Sequence, residues 1–403
     1  MRGNNNFITP YHVLTSHERF PLTRESSTSS RKVSRRAFIG TGAAIALAGC
    51  SGNSGGSQES QSTTVGSADS NELADKVTLY TWGGSYAEAR RNSIKKVFEE
   101  ETGVTVEINE FANDWDAISK QRAGGGDIDV IQPTQNGLYT GISEELILPL
   151  REKNFDNLDL LKDKFDPKKA SYDPGDGFHH VPVEVGATGT VHNTEQMDRP
   201  MEWKDLYTEQ TKGKISQPNF GFSGYGAIAI AAIEAGIDIT KLNENTDSKM
   251  EKVWSRLEEM NDSVFQYYSS NAEMGKMLLN ESALGGGYFY ARARSYQQEG
   301  APIEYRIPED GAPLWAGTTA IAKGTERRYT AEKLLDYSLR EDVQRLYFEE
   351  FPYVPTTKMD PVPEPVKDNH LYHNLDRAKM AHIPTVFENQ EQWQRKFQEV
   401  IRS

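Results

Sequence analysis

Strand-like and helix-like segments alternate along the chain from residue 76, and this alternation constrains the fold more than any other feature. Residues 77–82 are β-branched and aromatic, as in a strand, and residues 86–101 then carry apolar side chains at helical spacing. A Gly at position 103 ends that helix, and residues 104–108 and 127–131 resume strand patterns. Strands separated by helices pair in parallel, so we expect an α/β fold containing parallel strand pairs.

The second half of the chain shows the same alternation, with no internal repeat and no heptad array. We predict strands at 181–192, 214–216, 282–290 and 314–322, and helices at 227–235, 251–260, 330–339 and 392–401. A folded part of this length, from about residue 76 to residue 403, suits two domains.

The first 75 residues have a different composition. Arg35-Arg36 precedes an apolar run over residues 37–48, which marks export through the twin-arginine route. A membrane anchor is the alternative interpretation, but a spanning helix needs roughly 20 apolar residues, and this run is shorter. We therefore expect residues 1–49 to be a signal peptide that directs the protein outside the cytoplasm.

Cys50 is the only cysteine in the chain and closes the segment Leu47-Ala48-Gly49-Cys50. That segment resembles the lipobox of bacterial and archaeal lipoproteins, in which the cysteine becomes the first mature residue and carries lipid. The resemblance implies an anchor on the outer face of the cell membrane. Residues 51–71 are Ser, Gly, Gln and Thr with hardly any apolar residue, so we expect a flexible linker over 50–75.

Charge and motifs exclude several classes of function. The formal net charge of -14 disfavours nucleic-acid binding, which needs a basic face. This acidity either keeps the surface soluble or attracts a cationic ligand. No P-loop, HExxH or dinucleotide fingerprint occurs, and residues 221–225 miss the nucleophile elbow GxSxG by Tyr225. We expect no enzyme, no cofactor and no metal site.

Seven short segments are each weak motifs but are specific as an ordered set. They lie at 79–82, 98–104, 126–131, 182–188, 284–288, 315–321 and 353–356. Together they resemble the spermidine/putrescine-binding branch of the extracellular solute-binding proteins that serve ABC importers. The resemblance implies a two-lobed, periplasmic-binding-protein-like clamp, each lobe a sheet flanked by helices, with the ligand cleft at the hinge.

The resemblance also implies domain limits and partners. Lobe 1 would comprise 76–186 plus about 315–360, and lobe 2 would comprise 187–314 plus about 361–403. Closure would be a hinge motion of near-rigid lobes. The implied partners are a small-molecule ligand and an ABC permease and ATPase complex, and the implied state is a monomer.

Site residues are carried over from the polyamine-binding family position by position. In that family aromatic rings enclose the ligand and carboxylates neutralise its ammonium groups. The alternative for each aromatic residue is core packing. A glycine near an aromatic residue at the end of a strand favours the cleft over the core for that residue, because clefts form at the carboxyl ends of strands. The matching positions are Trp82, Tyr86, Thr134, Asn136, Tyr288 and Trp315.

The sequence departs from the family at its acids. The acid expected two positions after Trp315 is Gly317, and the second-lobe carboxylates are replaced by Asn219, Phe222 and Ser223. Glu184 is the compensating candidate, and its alternative is a solvent-facing position on a strand.

Ser223 precedes the predicted helix at 227, whose start favours an anion. We expect a polyamine-like solute. A zwitterionic or anionic solute, such as an amino acid derivative or aminophosphonate, is the alternative, followed by ferric iron or a secreted hydrolase.

Overall fold

The computed structural model describes residues 71–175, 177–219 and 226–402. These residues belong to one of the two units into which the chain divides, Gln61–Ser403. The predicted signal peptide, Cys50, Ser223 and all but the last residues of the predicted linker lie outside the described residues.

The described residues form a mixed α/β structure. The strands are β1 Lys76–Trp82, β2 Thr105–Phe111, β3 Val130–Ile131, β4 Ile147–Leu148, β5 His180–Asn193, β6 Ile215–Pro218, β7 Val264–Tyr268, β8 Gly285–Phe289, β9 Ile303–Arg306, β10 Ala312–Ala322, β11 Val354–Pro355 and β12 Ala378–Lys379. The helices are α1 Ser85–Arg90, α2 Lys96–Thr102, α3 Asp114–Arg122, α4 Gln135–Ser143, α5 Ala227–Glu234, α6 Thr246–Asn261, α7 Asn271–Leu279, α8 Tyr290–Gln298, α9 Arg328–Tyr337, α10 Glu341–Glu350, α11 Glu364–Lys367, α12 His370–His373 and α13 Ile383–Val400. Within these ranges no helix combines the length and apolarity needed to cross a membrane.

The strands follow the order β2-β1-β3-β10-β5-β8-β6-β7. Parallel pairs occur toward both ends, where β1 pairs with β2 and β3, and β6 pairs with β7 and β8. Antiparallel pairing of β10 with β3 and β5, and of β5 with β8, joins the two parallel regions. The predicted α/β fold with parallel pairs is therefore confirmed, and antiparallel strands connect its two halves.

Strand β5 passes from one half of the sheet to the other. Its first part, through Ala187, pairs with β10, and its remainder, from Thr188, pairs with β8. All of its residues are buried, as expected for a strand covered on both faces. The exchange of partners places the junction between the two halves next to Ala187.

One apolar cluster lies within the first half, and a second, larger cluster extends through both halves. In the first, Val77, Phe98, Val130 and Leu334 pack together between strands and helices. In the second, helix α5 is buried on all sides except at its carboxyl end, which explains its almost entirely apolar sequence.

The predicted elements differ from the structure mainly at their ends. Helix α5 and strand β10 lie within two residues of the predicted limits. Helix α13 begins at Ile383, well before the predicted start at 392, because Pro384 occupies its first turn and the His382 side chain accepts a hydrogen bond from Thr385 N. The strand predicted to reach 290 ends at Phe289, and helix α8 begins at Tyr290.

Substitution of Gly286 in β8 tests the close pairing of this strand with β6 in the second half. Gly286 has φ +153°, and a Cβ there would lie 1.7 Å from the Ser216 carbonyl oxygen of β6. We expect Gly286→Ala to lower the free energy of unfolding by about 3 kcal/mol or more, because backbone must move. Gly103→Ala is the control: its φ is +73° with open space around it, so strain alone should cost about 1 kcal/mol. Urea unfolding followed by circular dichroism measures both, and equal losses would contradict the packing argument.

Candidate functional site

A cleft of about 920 Å³ opens beside the junction between the two halves. It receives residues from strands β1, β5 and β10, and from helices α3, α4, α8 and α13 around them. Aromatic side chains dominate its walls: Trp82, Tyr86, Trp115, Tyr139, Phe289, Trp315, Phe351, Tyr353 and Phe387.

Most of the residues predicted for the site meet in this cleft. Those that line it are Trp82, Tyr86, Thr134, Asn136, Glu184 and Trp315. Tyr288 does not line it, and Ser223 lies outside the described residues.

Tyr288 is a core residue. It is fully buried, its ring lies 6.2 Å from that of Tyr268, and its hydroxyl donates to the Asn271 carbonyl oxygen at 2.6 Å. Successive residues of a strand face opposite sides, so its neighbour Phe289 lines the cleft instead. The alternative of core packing is thus the correct one for Tyr288.

Trp82 stands at the end of β1, where the chain turns through Gly83 and Gly84. Gly84 has φ +70°, which favours glycine, and the turn leaves the indole at the cleft. The Trp82 ring lies 5.1 Å from that of Phe111, which fixes its orientation.

Trp315 owes its position to a glycine on the neighbouring strand. It pairs with Gly186 of β5, and a Cβ at 186 would lie 2.2 Å from the indole. The ring also lies 4.7 Å from that of Tyr353, nearly perpendicular to it. No described residue accepts a hydrogen bond from its buried Nε1.

Glu184 lies at the floor of the cleft and is fully buried, so the solvent-facing alternative is wrong. Its Oε2 accepts a hydrogen bond from Arg90 Nη2 at 3.2 Å, and its Oε1 accepts one from the Tyr86 hydroxyl at 2.5 Å. The Arg90 guanidinium in turn lies 3.8 Å from the centre of the Tyr347 ring. Burial raises the pKa of Glu184, and the charge of Arg90 opposes that rise.

The position of Glu184 explains the missing family acid. Gly317 pairs with Glu184 across β10 and β5, and a Cβ at 317 would lie 2.1 Å from Glu184 Oε1. A carboxylate therefore stands beside position 317, but it comes from the neighbouring strand and is held by Arg90.

A second buried carboxylate, Asp114, was missed from the sequence. Thr134 donates to it through its backbone N–H at 3.0 Å and through its hydroxyl. Burial raises the pKa of Asp114, and the hydrogen bonds from Thr134 oppose the rise. Thr134 is also the N-cap of α4, so this contact fixes the start of the helix that carries Asn136 and Tyr139. The local signal was Asn113, which caps α3 just before Asp114.

Other lining residues gave no signal in the sequence, because they reach the cleft only through the tertiary fold. They are Arg292 of α8, Phe351 and Tyr353 after α10, and Phe387 and Glu391 of α13. Among the described residues, no group of three or more His, Cys, Asp or Glu side chains is placed to hold a metal ion.

The fold and the cleft agree with the family comparison. The family described as bacterial extracellular solute-binding protein matches residues 93–372. The chain therefore belongs to this family of solute-binding proteins.

Relatives and solved structures extend this assignment. The spermidine/putrescine-binding periplasmic protein 1 of Haemophilus influenzae is 24% identical over 318 residues, covering 76% of this chain and 83% of that protein. The spermidine/putrescine ABC transporter substrate-binding protein of Streptococcus pneumoniae, solved with calcium and HEPES, superposes with a TM-score of 0.66 at 18% identity, covering 80% of this chain and 100% of that one. The binding protein AgtB of A. tumefaciens R10, in complex with agropinic acid, gives 0.64 at 15% identity, covering 82% and 100%. The likeness to these structures confirms the predicted two-lobed clamp as the fold of this chain.

The buried pair of Glu184 and Arg90 is testable. Glu184→Gln leaves the Arg90 guanidinium buried without a counter-charge, since its side chain is 1% exposed. We expect a loss of about 3–5 kcal/mol in the free energy of unfolding. Glu101→Gln, which removes an exposed partner of Arg340, should leave the thermal midpoint nearly unchanged. A thermal midpoint of Glu184→Gln equal to that of the wild type would contradict an ionised pair.

Proposed function

We propose that this protein is the substrate-binding subunit of an ABC importer for a small, amine-bearing organic solute of polyamine-like chemistry. It captures the solute outside the cytoplasm and delivers it to a membrane permease with its ATPase. The observation that carries the proposal is the cleft between the halves, walled by Trp82, Tyr86, Trp315 and Tyr353.

Aromatic walls suit a solute with a methylene chain and an ammonium group. The ring faces cover the methylene groups, and their negative electrostatic face attracts the ammonium, by about 2 kcal/mol when water is excluded. The relative from H. influenzae carries spermidine and putrescine in its name, which supports the same solute class here.

Closure of the clamp would proceed about the crossing strands. Within the described residues, β5, β10 and segments near them carry the chain between the halves, so small dihedral changes near Ala187 would move one half against the other. The predicted limits, 76–186 with about 315–360 and 187–314 with about 361–403, are consistent with this hinge.

We propose that the clamp works as a monomer and without enzymatic activity.

The aromatic wall is tested by removing one ring. We expect Trp82→Ala to weaken putrescine and spermidine binding about tenfold, the loss of one partly desolvated cation–π contact. Trp254→Phe, on α6 and away from the cleft, is the control and should bind as the wild type does. Isothermal titration calorimetry measures both. If the wild-type protein binds neither of these amines nor an amino acid that carries the same amine, the proposed solute class is wrong.

We further propose that the protein is exported by the twin-arginine route and anchored by lipid on Cys50. Arg35-Arg36, the short apolar run and the segment ending at Cys50 support this. The polar residues 51–71 would then act as a tether that lets the clamp reach its permease.

The anchor is tested by Cys50→Ser in the full chain, expressed in the native host. We expect the variant to leave the membrane fraction, because the serine hydroxyl cannot form the thioether to lipid. Ser51→Ala, the adjacent control, should remain with the membrane. Immunoblots of the membrane and soluble fractions decide, and a Cys50→Ser protein still bound to membranes contradicts lipid anchoring at this residue.

A further inference from the structure

Two of the three acids that line the cleft are already engaged by the protein itself. Glu184 is paired with Arg90, and Asp114 accepts hydrogen bonds from Thr134 at the start of α4. Glu391 is exposed on α13 and lies 3.7 Å from Arg395. The cleft thus presents less free negative charge than its number of carboxylates suggests.

Two arginines line the cleft, and they differ in whether an acidic side chain is paired with them. Arg122 is held by Glu144, with hydrogen bonds of 2.7 and 2.6 Å to its two carboxylate oxygens. Arg292 has no acidic partner among the described residues. Its one hydrogen bond within that part of the chain goes from Nη1 to the Ser85 hydroxyl at 2.8 Å, which leaves most guanidinium donors unused.

Arg292 is only partly buried, and its position in the helix is unfavourable for a cation. It lies in the first turn of α8, where the helix dipole disfavours a cation, and that turn contains no acidic residue. Its guanidinium lies 5.5 Å from the centre of the Phe351 ring, on a wall of the cleft. An anion in the cleft would supply the missing counter-charge and would offset the dipole repulsion.

The Trp315 Nε1–H, which has no partner among the described residues, belongs to a residue that lines the same cleft. Trp315 is 8% exposed, and its Nε1 has no acceptor among the described residues. Its ring contacts Tyr353, and Tyr353 contacts Phe351, beside which Arg292 lies. Buried donors normally have an acceptor, and an acceptor group on the ligand would supply one here.

We propose that Arg292 and the Trp315 Nε1–H bind an oxyanion group of the solute. The solute then carries a carboxylate, or a group of the same charge, in addition to the amine, and is not a bare polyamine. This inference rests on the proposed function and narrows its solute class.

The test uses pairs of amines that differ by one carboxylate: putrescine with ornithine, and agmatine with arginine. Calorimetry on the wild-type protein should show the carboxylate-bearing member of at least one pair binding about tenfold more tightly, as expected for a charged hydrogen bond. Arg292→Gln should reduce that preference to about twofold or less, with a smaller effect on the diamine. Thermal midpoints check that each variant is folded.

Arg294→Gln is the matched control, because Arg294 belongs to the same helix but does not line the cleft. It should retain the wild-type preference. A wild-type protein that binds the diamine as tightly as the amino acid, or an Arg292→Gln variant that keeps the preference, overturns the inference and leaves the proposed function standing. Failure of every amine in both pairs to bind would instead contradict the proposed solute class itself.

Discussion

The antiparallel pairing of β5 with β10 is the constraint on which both the fold and the cleft depend. Both strands run between the two halves. Each strand gives the cleft one large side chain, and that side chain lies over a glycine of the other strand. Trp315 of β10 lies over Gly186, and Glu184 of β5 lies over Gly317. In each pair a large side chain occupies the space that a Cβ on the other strand would need. A change at either glycine would therefore displace a residue of the site.

The same pairing explains why the charge of the cleft differs from that expected for a polyamine site. A carboxylate from β5 reaches position 317 only as a fully buried group, and a buried carboxylate needs a partner. Arg90 supplies that partner and neutralises it. The carboxylate of Glu184 stays in place, but its charge is neutralised by Arg90 inside the protein. In the proposed function, recognition of the solute then falls to the aromatic rings and to Arg292.

Features that depend on local sequence were predictable, and features that depend on register or distant contacts were not. Trp82 was placed at the cleft because it ends a strand before two glycines. Tyr288 was misplaced because the face of a strand residue depends on its pairing, which the sequence of one strand does not reveal. Arg90, 94 residues from Glu184, and Arg292 lack any local signal. Helix α13 was predicted only from residue 392, because residues 388–392 are all polar and interrupt the apolar spacing that begins at Ile383.

Specificity in this cleft follows from charge that is left unpaired as much as from contacts that are made. A diamine placed along the aromatic wall would bring one ammonium toward Arg292, with no described acid near that guanidinium to compensate. Like charges juxtaposed in a partly dehydrated site disfavour that ligand, which is discrimination by repulsion. Replacement of the distal ammonium by an oxyanion turns the same contact into an attraction. One arginine without an acidic partner among the described residues can therefore redirect a polyamine-type clamp toward solutes of mixed charge, while the aromatic walls continue to hold the chain between the charged ends.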